Sequence, residues 1–362
     1  EMTSSLVGSE MCIRDRFYIL LMSVMTLFLI AGCGSESKGA NVKVHTICDS
    51  VGRNVEIPYP VTKAAVANAY NVELINAIGA LDNVVGVDFN IYNDQAGFKN
   101  KFKKEQIIGK NQRELNYEKI IEINPQVLIL TGNGAVEEAE KKLKPFGIKV
   151  IVCDSYYTED FEKNCKLIGS IFGKEKAADE LTAYFMDKLA YINKQLAGVE
   201  KKKVYFEYRR IGSTTIPGNY FYKMIEYAGG ANIFSDAKNV NVDPESIIER
   251  NPEYIIKVSN VNVQSTYEPP TADEQKAIFA EIKNRPGWDS IDAVKNNKIL
   301  LLSHYVHGGA SKLVGTMYVA KYLYPDKLPD LHPEQVFKDW LEKYQHLSYI
   351  EGHTYPKFNL ND

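Results

Sequence analysis

The sequence predicts an α/β protein made of two homologous lobes with parallel sheets, joined by one long helix. Three observations support this fold class: short apolar runs alternate with helical stretches, a twelve-residue motif occurs twice, and an uninterrupted helical stretch separates the two copies. The chain has 362 residues, of which 45% are hydrophobic and 25% charged, the ordinary mix of a folded protein large enough for two domains. A disordered chain, a collagen-like repeat and a polytopic membrane protein are therefore excluded.

Charge and motif content exclude further classes of function. Lys and Arg number 43 against 46 Asp and Glu, a net charge of −3, so no basic excess favours binding to nucleic acid. The motifs GxxxxGK[ST], GxSxG and HExxH are absent from the sequence, and no GxGxxG follows the first strand. We therefore expect neither an enzyme nor a resident cofactor.

Predicted strands and helices alternate along the chain. The apolar runs that we interpret as buried strands are 64–67, 84–87, 127–130, 150–152, 204–208, 254–258 and 299–302. Between them, apolar residues recur three or four positions apart in 72–78, 135–145, 160–172, 174–199 and 334–347, which predicts amphipathic helices. This alternation favours parallel sheets covered by helices.

The repeated motif indicates two related halves. Residues 118–129 read EKIIEINPQVLI and residues 245–256 read ESIIERNPEYII, with seven identities in twelve positions and no gap. Each copy predicts a short helix, an Asn-Pro break and a strand, because proline ends a helix and is excluded from a central strand. The copies flank the stretch 174–199, whose 26 residues would form a helix about 39 Å long, enough to join two lobes.

The N-terminal segment predicts an export signal. Residues 1–16 do not begin with Met and are interpreted as an artefactual translated stretch. The apolar run 17–30 follows Arg14 and Arg16 and would span only about 21 Å as a helix, too short for a bilayer. We therefore interpret 1–32 as a signal peptide.

Residues 29–33, LIAGC, resemble a bacterial lipobox. The resemblance implies that Cys33 is acylated and becomes the first residue of an exported protein anchored in a membrane. The small polar residues of 33–41 predict a flexible tether after the lipid. The alternative is a plain signal peptide followed by a chance cysteine.

Three cysteines remain after the lipobox, Cys48, Cys153 and Cys165, and none belongs to a CxxC pair. A zinc or iron–sulfur site is therefore not expected. Cys153 and Cys165 either form a disulfide or remain as buried free thiols.

Several further motifs, in this order and spacing, resemble one family of exported binding proteins. They are DSVGRNVEIP at 49–58, GALDNVVGV at 79–87, IG at 108–109, AGGANIF at 228–234, and PGW at 286–288 with IDAVK at 291–295. Together with the lipobox they resemble the solute-binding lipoproteins of bacterial ABC importers for ferric siderophores, haem and cobalamin. The resemblance implies two Rossmann-like lobes, at 42–173 and 201–362, with a rigid interlobe helix at 174–200 and a ligand cleft between the lobes.

The resemblance also implies partners and location. It implies a monomer that is lipid-anchored outside the cytoplasm on a bacterial membrane and delivers its ligand to a permease dimer and its ATPase. An iron–siderophore-type metal chelate is the expected ligand. Haem, cobalamin, a nickel chelate, and molybdate or tungstate remain open, as does a capture lipoprotein that works without a transporter.

Glu118 and Glu245 hold equivalent positions in the two motif copies. In the resembled family such glutamates pair with arginines on the two permease subunits, and the carboxylate–guanidinium geometry suits oriented docking. The alternative is a glutamate placed at a helix N-terminus by the helix dipole. With the family resemblance, we expect the docking role.

Ligand contacts are expected on loops that follow the carboxyl ends of strands, where open parallel sheets bind ligands. Six loops qualify, at 68–71, 88–94, 132–134, 209–218, 259–267 and 303–311. The candidate residues are Tyr70, Tyr92, Arg209, His304, Tyr305 and His307. Arg209 follows a strand and suits an anionic chelate, unless it is solvated or structural. His304 and His307 either ligate a metal or are hydrogen-bonded structure, and no further ligand spacing supports a closed metal site. Gly308 and Gly309 would let a bulky ligand approach the backbone.

Overall fold

The computed structural model describes residues 43–94, 96–219, 221–259 and 265–360, without the side chains of His307 and Ser311. The signal peptide, the acylated Cys33 and the tether were predicted for segments that lie outside the described residues. The described residues all belong to one compact unit. Two main sheets lie inside this unit. Because the described residues are not divided further, the predicted lobe boundaries at 42–173, 174–200 and 201–362 stay predictions.

The strands and helices follow one another in the predicted alternation. The strands are β1 (Val44–Cys48), β2 (Asn54–Pro58), β3 (Ala64–Val66), β4 (Val84–Val87), β5 (Gly109–Asn111), β6 (Glu114–Leu115), β7 (Val127–Leu130), β8 (Lys149–Val152), β9 (Lys202–Glu207), β10 (Gly230–Asn232), β11 (Tyr254–Val258), β12 (Ile299–Leu302) and β13 (Thr354–Tyr355). The helices are α1 (Ala69–Ala77), α2 (Phe89–Asn93), α3 (Tyr117–Ile123), α4 (Val136–Leu143), α5 (Phe161–Phe172), α6 (Glu175–Gln195), α7 (Tyr222–Tyr227), α8 (Pro244–Arg250), α9 (Ala272–Lys283), α10 (Asp292–Lys295), α11 (Ser311–Leu323) and α12 (Pro333–Asp339).

The two main sheets share one topology. The first has the parallel strand order β4-β3-β7-β8, and the second has β10-β9-β11-β12 with β13 added antiparallel at its edge. Numbered within each sheet, both parallel sets read 2-1-3-4, and α6 lies between them along the chain. The predicted fold class, two α/β lobes with parallel sheets joined by a long helix, is confirmed.

The repeated motif forms the same unit in both lobes. α3 ends at Asn124 and α8 ends at Asn251, and both asparagines adopt the left-handed conformation, with φ of 51° and 43°. Asparagine tolerates this conformation, and the proline that follows it prevents the helix from continuing. Each motif then enters a buried strand, β7 or β11.

The helix α6 belongs to a continuous core that reaches both lobes. Its inward face buries Leu181, Phe185, Leu189 and Ile192. The Phe185 ring lies 5.4 Å from the ring of Phe161 on α5 and 5.8 Å from the ring of Trp340, the residue that follows α12. Because one apolar face packs against elements from before and after it in the chain, α6 acts as a rigid connection. It is 21 residues long, shorter than the predicted 174–199.

Other predicted elements differ in detail. The predicted helix 334–347 is α12 followed by a π-helical turn at Trp340–Tyr344. The short strands β10 and β13 were not predicted, because three or two residues carry too little apolar pattern. The described cysteines have free thiols, with Cys153 and Cys165 buried. Within the part of the chain that the structure describes, no helix combines the length and apolar character needed to cross a bilayer.

Candidate functional site

A cavity of about 400 Å³ lies where strands of both sheets end. The loops after β3 and β4 line it from the first lobe, and the loops after β11 and β12 line it from the second. This is the carboxyl edge of two parallel sheets, the place where such sheets bind ligands. Its volume falls within the range of small-molecule sites.

Two helix N-caps, Asn68 and Asp88, lie on the first-lobe side of the cavity. Asn68 accepts hydrogen bonds from the backbone N–H groups of Tyr70 and Asn71, and so starts α1 at the cavity. Asp88 accepts from the N–H groups of Asn90 and Ile91, and starts α2. Burial raises the pKa of Asp88 to about 6, although these two hydrogen bonds oppose the shift.

Asp94 connects the two lobes across the cavity. Its carboxylate accepts hydrogen bonds from Ser265 Oγ at 2.8 Å and from Thr266 Oγ1 at 2.9 Å. It also accepts from the backbone N–H of Gly97 at 3.2 Å, within its own loop. One first-lobe carboxylate therefore fixes the second-lobe loop that follows β11.

Glu73 lies on α1 in the wall of the cavity and is only 7% exposed. Its Oε2 atom is buried and has no hydrogen-bond partner among the described residues. Burial, and then the charge of Asp94, raise the pKa of Glu73 well above its ordinary value. The α1 backbone here is held from the C-terminal segment, where Gln345 Nε2 donates to the Glu73 carbonyl at 3.0 Å.

The glycine pair after β12 packs against Tyr70. A Cβ atom on Gly308 would lie 2.8 Å from the Tyr70 ring, and one on Gly309 would lie 2.7 Å from it. Gly309 also has a positive φ of 49°, which disfavours other residues. The sequence predicts that a ligand approaches the backbone of Gly308 and Gly309. In the structure, the Tyr70 ring of the other lobe lies against this backbone.

The structure brings half of the predicted ligand contacts to the cavity. Tyr70, His304 and Tyr305 line it. Tyr92 and Arg209 are not among its lining residues, and the His307 side chain lies outside the described part of the structure. The individual roles of these six residues stay predictions.

Tyr92 and Arg209 lie elsewhere for local reasons. Tyr92 packs against the core, with its ring 6.3 Å from that of Phe89. β9 ends at Glu207, so Arg209 is already two residues into the loop, exposed, with its guanidinium 5.1 Å from the Tyr208 ring. Burial, and then the charge of Arg209, lower the pKa of His304 to about 4, so this imidazole is neutral at pH 7.

The sequence missed the carboxylates of the cavity. Two predicted loops, 68–71 and 88–94, do line it, but Glu73, Asp88 and Asp94 were not selected as candidates. Aspartate directly after a strand was the available signal for Asp88. The predicted loops 132–134 and 209–218 do not line the cavity, and Asn111 and Gln112 at the β5–β6 turn do.

Glu118 and Glu245 are both exposed, in the first turns of α3 and α8. Asn116 caps α3 and Asp243 caps α8 through side-chain oxygens that accept backbone N–H groups. Each helix N-terminus thus has a cap besides its glutamate. The two carboxylates occupy equivalent places in the two lobes.

Two parallel-sheet lobes with a cavity lined by residues of both are an architecture suited to binding a small ligand. Residues 65–305 match the model of the periplasmic binding protein family. This match spans most of the chain, and the chain belongs to that family. The resemblance drawn from the sequence motifs is confirmed at this level.

Relatives matched over most of their length are similar to this chain, and a solved structure shares its fold. The chain is 26% identical to the uncharacterized ABC transporter substrate-binding lipoprotein YvrC of Bacillus subtilis, over 85% of this chain and 96% of YvrC. It is 24% identical to the molybdate-binding protein MolA of Haemophilus influenzae, over 84% of this chain and 91% of MolA. The TroA-like periplasmic binding protein FepB of Veillonella parvula shares the fold with a TM-score of 0.71 at 20% identity, covering 87% of this chain and 99% of that one.

Proposed function

We propose that the protein is the extracytoplasmic solute-binding component of an ABC importer and that it carries a metal chelate of the iron–siderophore type. The cavity is the main support for the ligand class. Among the described residues, no three His, Cys, Asp or Glu side chains are grouped to hold a metal ion. A metal in this cavity therefore has to bring its own ligands. The importer role is supported by membership of the periplasmic binding protein family and by relatives such as YvrC, which is named an uncharacterized ABC transporter substrate-binding lipoprotein.

The charge of the cavity separates the candidate ligands. Glu73, Asp88 and Asp94 line it, and no Lys or Arg does so among the described residues. An ionised carboxylate repels an anion strongly where water is excluded, and a protonated one supplies no positive charge to attract it, so molybdate, the ligand named for MolA, fits this lining poorly. A neutral or cationic complex is therefore favoured over an anionic one.

The test is a titration of the exported protein with a panel of metal complexes. The panel holds neutral, cationic and anionic ferric siderophores, haem, cobalamin, a nickel–histidine complex and molybdate. Intrinsic fluorescence reports binding, since the chain has 23 Tyr and 2 Trp. We expect micromolar or tighter affinity for a ferric siderophore and none for molybdate. Binding of molybdate with no binding of any metal complex would contradict the proposal.

The anchor is part of the proposal. YvrC is named a lipoprotein, and LIAGC at 29–33 resembles a lipobox. Cells grown with a clickable palmitate should label the protein, and Cys33→Ala should abolish the label, because the thiol is the acylated atom. Label that persists in Cys33→Ala would exclude this anchor.

Permease docking through Glu118 and Glu245 is the last part of the proposal. Both carboxylates are exposed and equivalent in the two lobes, which matches a partner with two related subunits. No resident cofactor and no catalytic reaction belong to the proposed function. A single bound ligand in the cavity and one protein molecule on a permease dimer are sufficient for delivery.

A further inference from the structure

We propose that the cavity selects a ligand with a positively charged, hydrogen-bond-donating group, which binds to the Oε2 atom of Glu73. The inference deepens the proposed function, on which it rests for the idea of a carried solute. It concerns the charge and the donor atoms of the ligand, which the family assignment leaves open. Three observations on the cavity support it.

The first observation is the unpartnered carboxylate oxygen. Glu73 is 7% exposed and lines the cavity, and its Oε2 atom has no hydrogen-bond partner among the described residues. Buried polar atoms are nearly always hydrogen-bonded, because a lost bond to water has to be replaced. A donor group on a ligand would satisfy this oxygen.

The second observation is that, among the described residues, no Lys or Arg lines the cavity beside Glu73. Asp94 adds a second negative charge that raises the pKa of Glu73, and Tyr305 packs nearby with its own pKa raised by burial and by Glu73. Gly309 presents only backbone beside Oε2, with a Cβ position 2.5 Å from that atom. The region around Glu73 is therefore short of positive charge, which a cationic ligand would supply.

The third observation favours a ligand with a hydrogen-bond donor over a bare metal ion. The described residues contain no group of three or more His, Cys, Asp or Glu that could hold a metal. Asp94 already accepts bonds from Ser265 and Thr266, and Asp88 caps α2. Glu73, whose proton is released when a cation binds, is left to act as a single hydrogen-bond acceptor. An ammonium, a guanidinium or a metal-bound amine matches that role.

Hexaamminecobalt(III) is a suitable probe, because it is cationic, presents only N–H donors and does not exchange its ligands readily. Calorimetric titration at low salt compares the parent with Glu73→Gln, which keeps the shape but removes the charge. Glu249→Gln is the matched control, since it removes an exposed glutamate from α8. We expect one-to-one binding to the parent, unchanged binding to Glu249→Gln, and affinity about ten-fold lower or worse in Glu73→Gln. Molybdate should not bind.

The pH dependence gives a second readout. A cation at Glu73 favours the ionised carboxylate, so binding releases a proton and affinity should rise with pH in the parent. In Glu73→Gln this rise should be smaller, and the remaining rise is expected from the titration of Asp88 and His304. A pH profile that is identical in the parent and in Glu73→Gln would overturn the inference.

The outcomes distinguish this inference from the proposed function. No binding of the probe by the parent, or equal binding by Glu73→Gln, overturns the inference even if a metal chelate is transported. Binding that depends on Glu73, with no siderophore of the panel bound, supports the inference and contradicts the chelate proposal. A circular-dichroism melt of each variant confirms that it is folded.

Discussion

Two buried glutamates show how differently the two lobes use a negative charge. Glu73 lies on α1, the helix that follows β3, and Glu207 is the last residue of β9, the equivalent strand of the second lobe. Glu73 lines the cavity with an unpartnered oxygen. Glu207 is fully buried and receives two hydrogen bonds from Arg285, at 2.7 and 2.8 Å.

The partners of Glu207 complete a closed cluster. Lys257 Nζ lies 3.2 Å from one carboxylate oxygen, and Tyr205 Oη donates to the other at 3.1 Å. Burial by itself raises the pKa of Glu207, but Arg285 and Lys257 outweigh burial and hold the pKa below its ordinary value. For Glu73, burial and the charge of Asp94 act in the same direction, and the pKa rises.

Both carboxyls are buried, so burial does not distinguish a glutamate that stabilises the fold from one that binds a ligand. The difference is whether the protein itself supplies hydrogen-bond and ion-pair partners for the carboxylate. A satisfied buried ion pair resists the removal of either partner. A buried carboxyl that lacks a hydrogen-bond partner destabilises the free protein. Such a carboxyl is retained in a protein where a ligand supplies the missing partner. The same substitution should therefore change the stability of the two lobes in opposite directions.

The largest expected effect is at Glu207. Glu207→Gln leaves Arg285 and Lys257 buried beside a neutral amide, so the free energy of unfolding should fall by about 3 kcal/mol. Urea denaturation followed by circular dichroism measures it. Arg285 keeps its bonds to Glu281, which limits the loss. A loss below about 0.5 kcal/mol would show that the cluster is not important for stability.

The same change at Glu73 should act in the opposite direction. Glu73→Gln removes a carboxyl that burial and Asp94 make costly to ionise, so the free energy of unfolding should rise by about 1 kcal/mol near pH 8. The measurement is the same urea titration, in the absence of ligand. Destabilisation of Glu73→Gln as large as that of Glu207→Gln would mean that Glu73 is a structural residue.

The pH dependence of stability sharpens the contrast. The raised pKa of Glu73 means that the folded parent keeps a proton that the unfolded chain loses, so this group costs stability as pH rises above about 4.3. The lowered pKa of Glu207 gives stability that is present above its unfolded pKa and lost as pH falls through the folded value. The gain in Glu73→Gln should therefore vanish near pH 4, and the loss in Glu207→Gln should shrink there. Parallel stability curves for both variants and the parent between pH 4 and pH 8 would contradict these assignments.

The fold was predictable because its signals are local and repeated. The runs 84–87, 127–130, 254–258 and 299–302 coincide with β4, β7, β11 and β12. The Asn-Pro break in each motif copy fixes the end of α3 and α8 through a left-handed asparagine. A pattern of this kind acts within a few residues, so one sequence is enough to detect it.

The site was predictable only at the level of loops. The rule that ligands bind at the carboxyl ends of strands selected the regions of Tyr70, Asp88 and His304, and these regions line the cavity. It could not select Glu73, because burial of its carboxyl depends on Gly309 and Tyr305 from the other lobe. Contacts between distant parts of a chain leave no periodic signal in the sequence.

The smallest expected effect on stability is at Glu118 and Glu245, which hold equivalent positions in the two lobes. Glu118 and Glu245 are exposed at equivalent helix starts, so Glu118→Arg and Glu245→Arg should each change the free energy of unfolding by no more than about 0.5 kcal/mol. Binding of the liganded protein to the reconstituted permease–ATPase complex should weaken in each, and further in the double variant, because each carboxylate meets one permease subunit.

The docking role and the helix-dipole explanation predict different results for these variants. Docking through rim charges predicts weaker permease binding at higher salt in the parent and unchanged affinity for the ligand in all variants. A helix-dipole role predicts a lowered melting temperature, with permease binding affected only in proportion. Glu249→Arg, an exposed change on α8 outside its first turn, is the matched control and should leave permease binding unaltered. If the double variant binds the permease as tightly as the parent does, the docking role is excluded. The glutamate would then recur in the two lobes only because α3 and α8 begin in the same way.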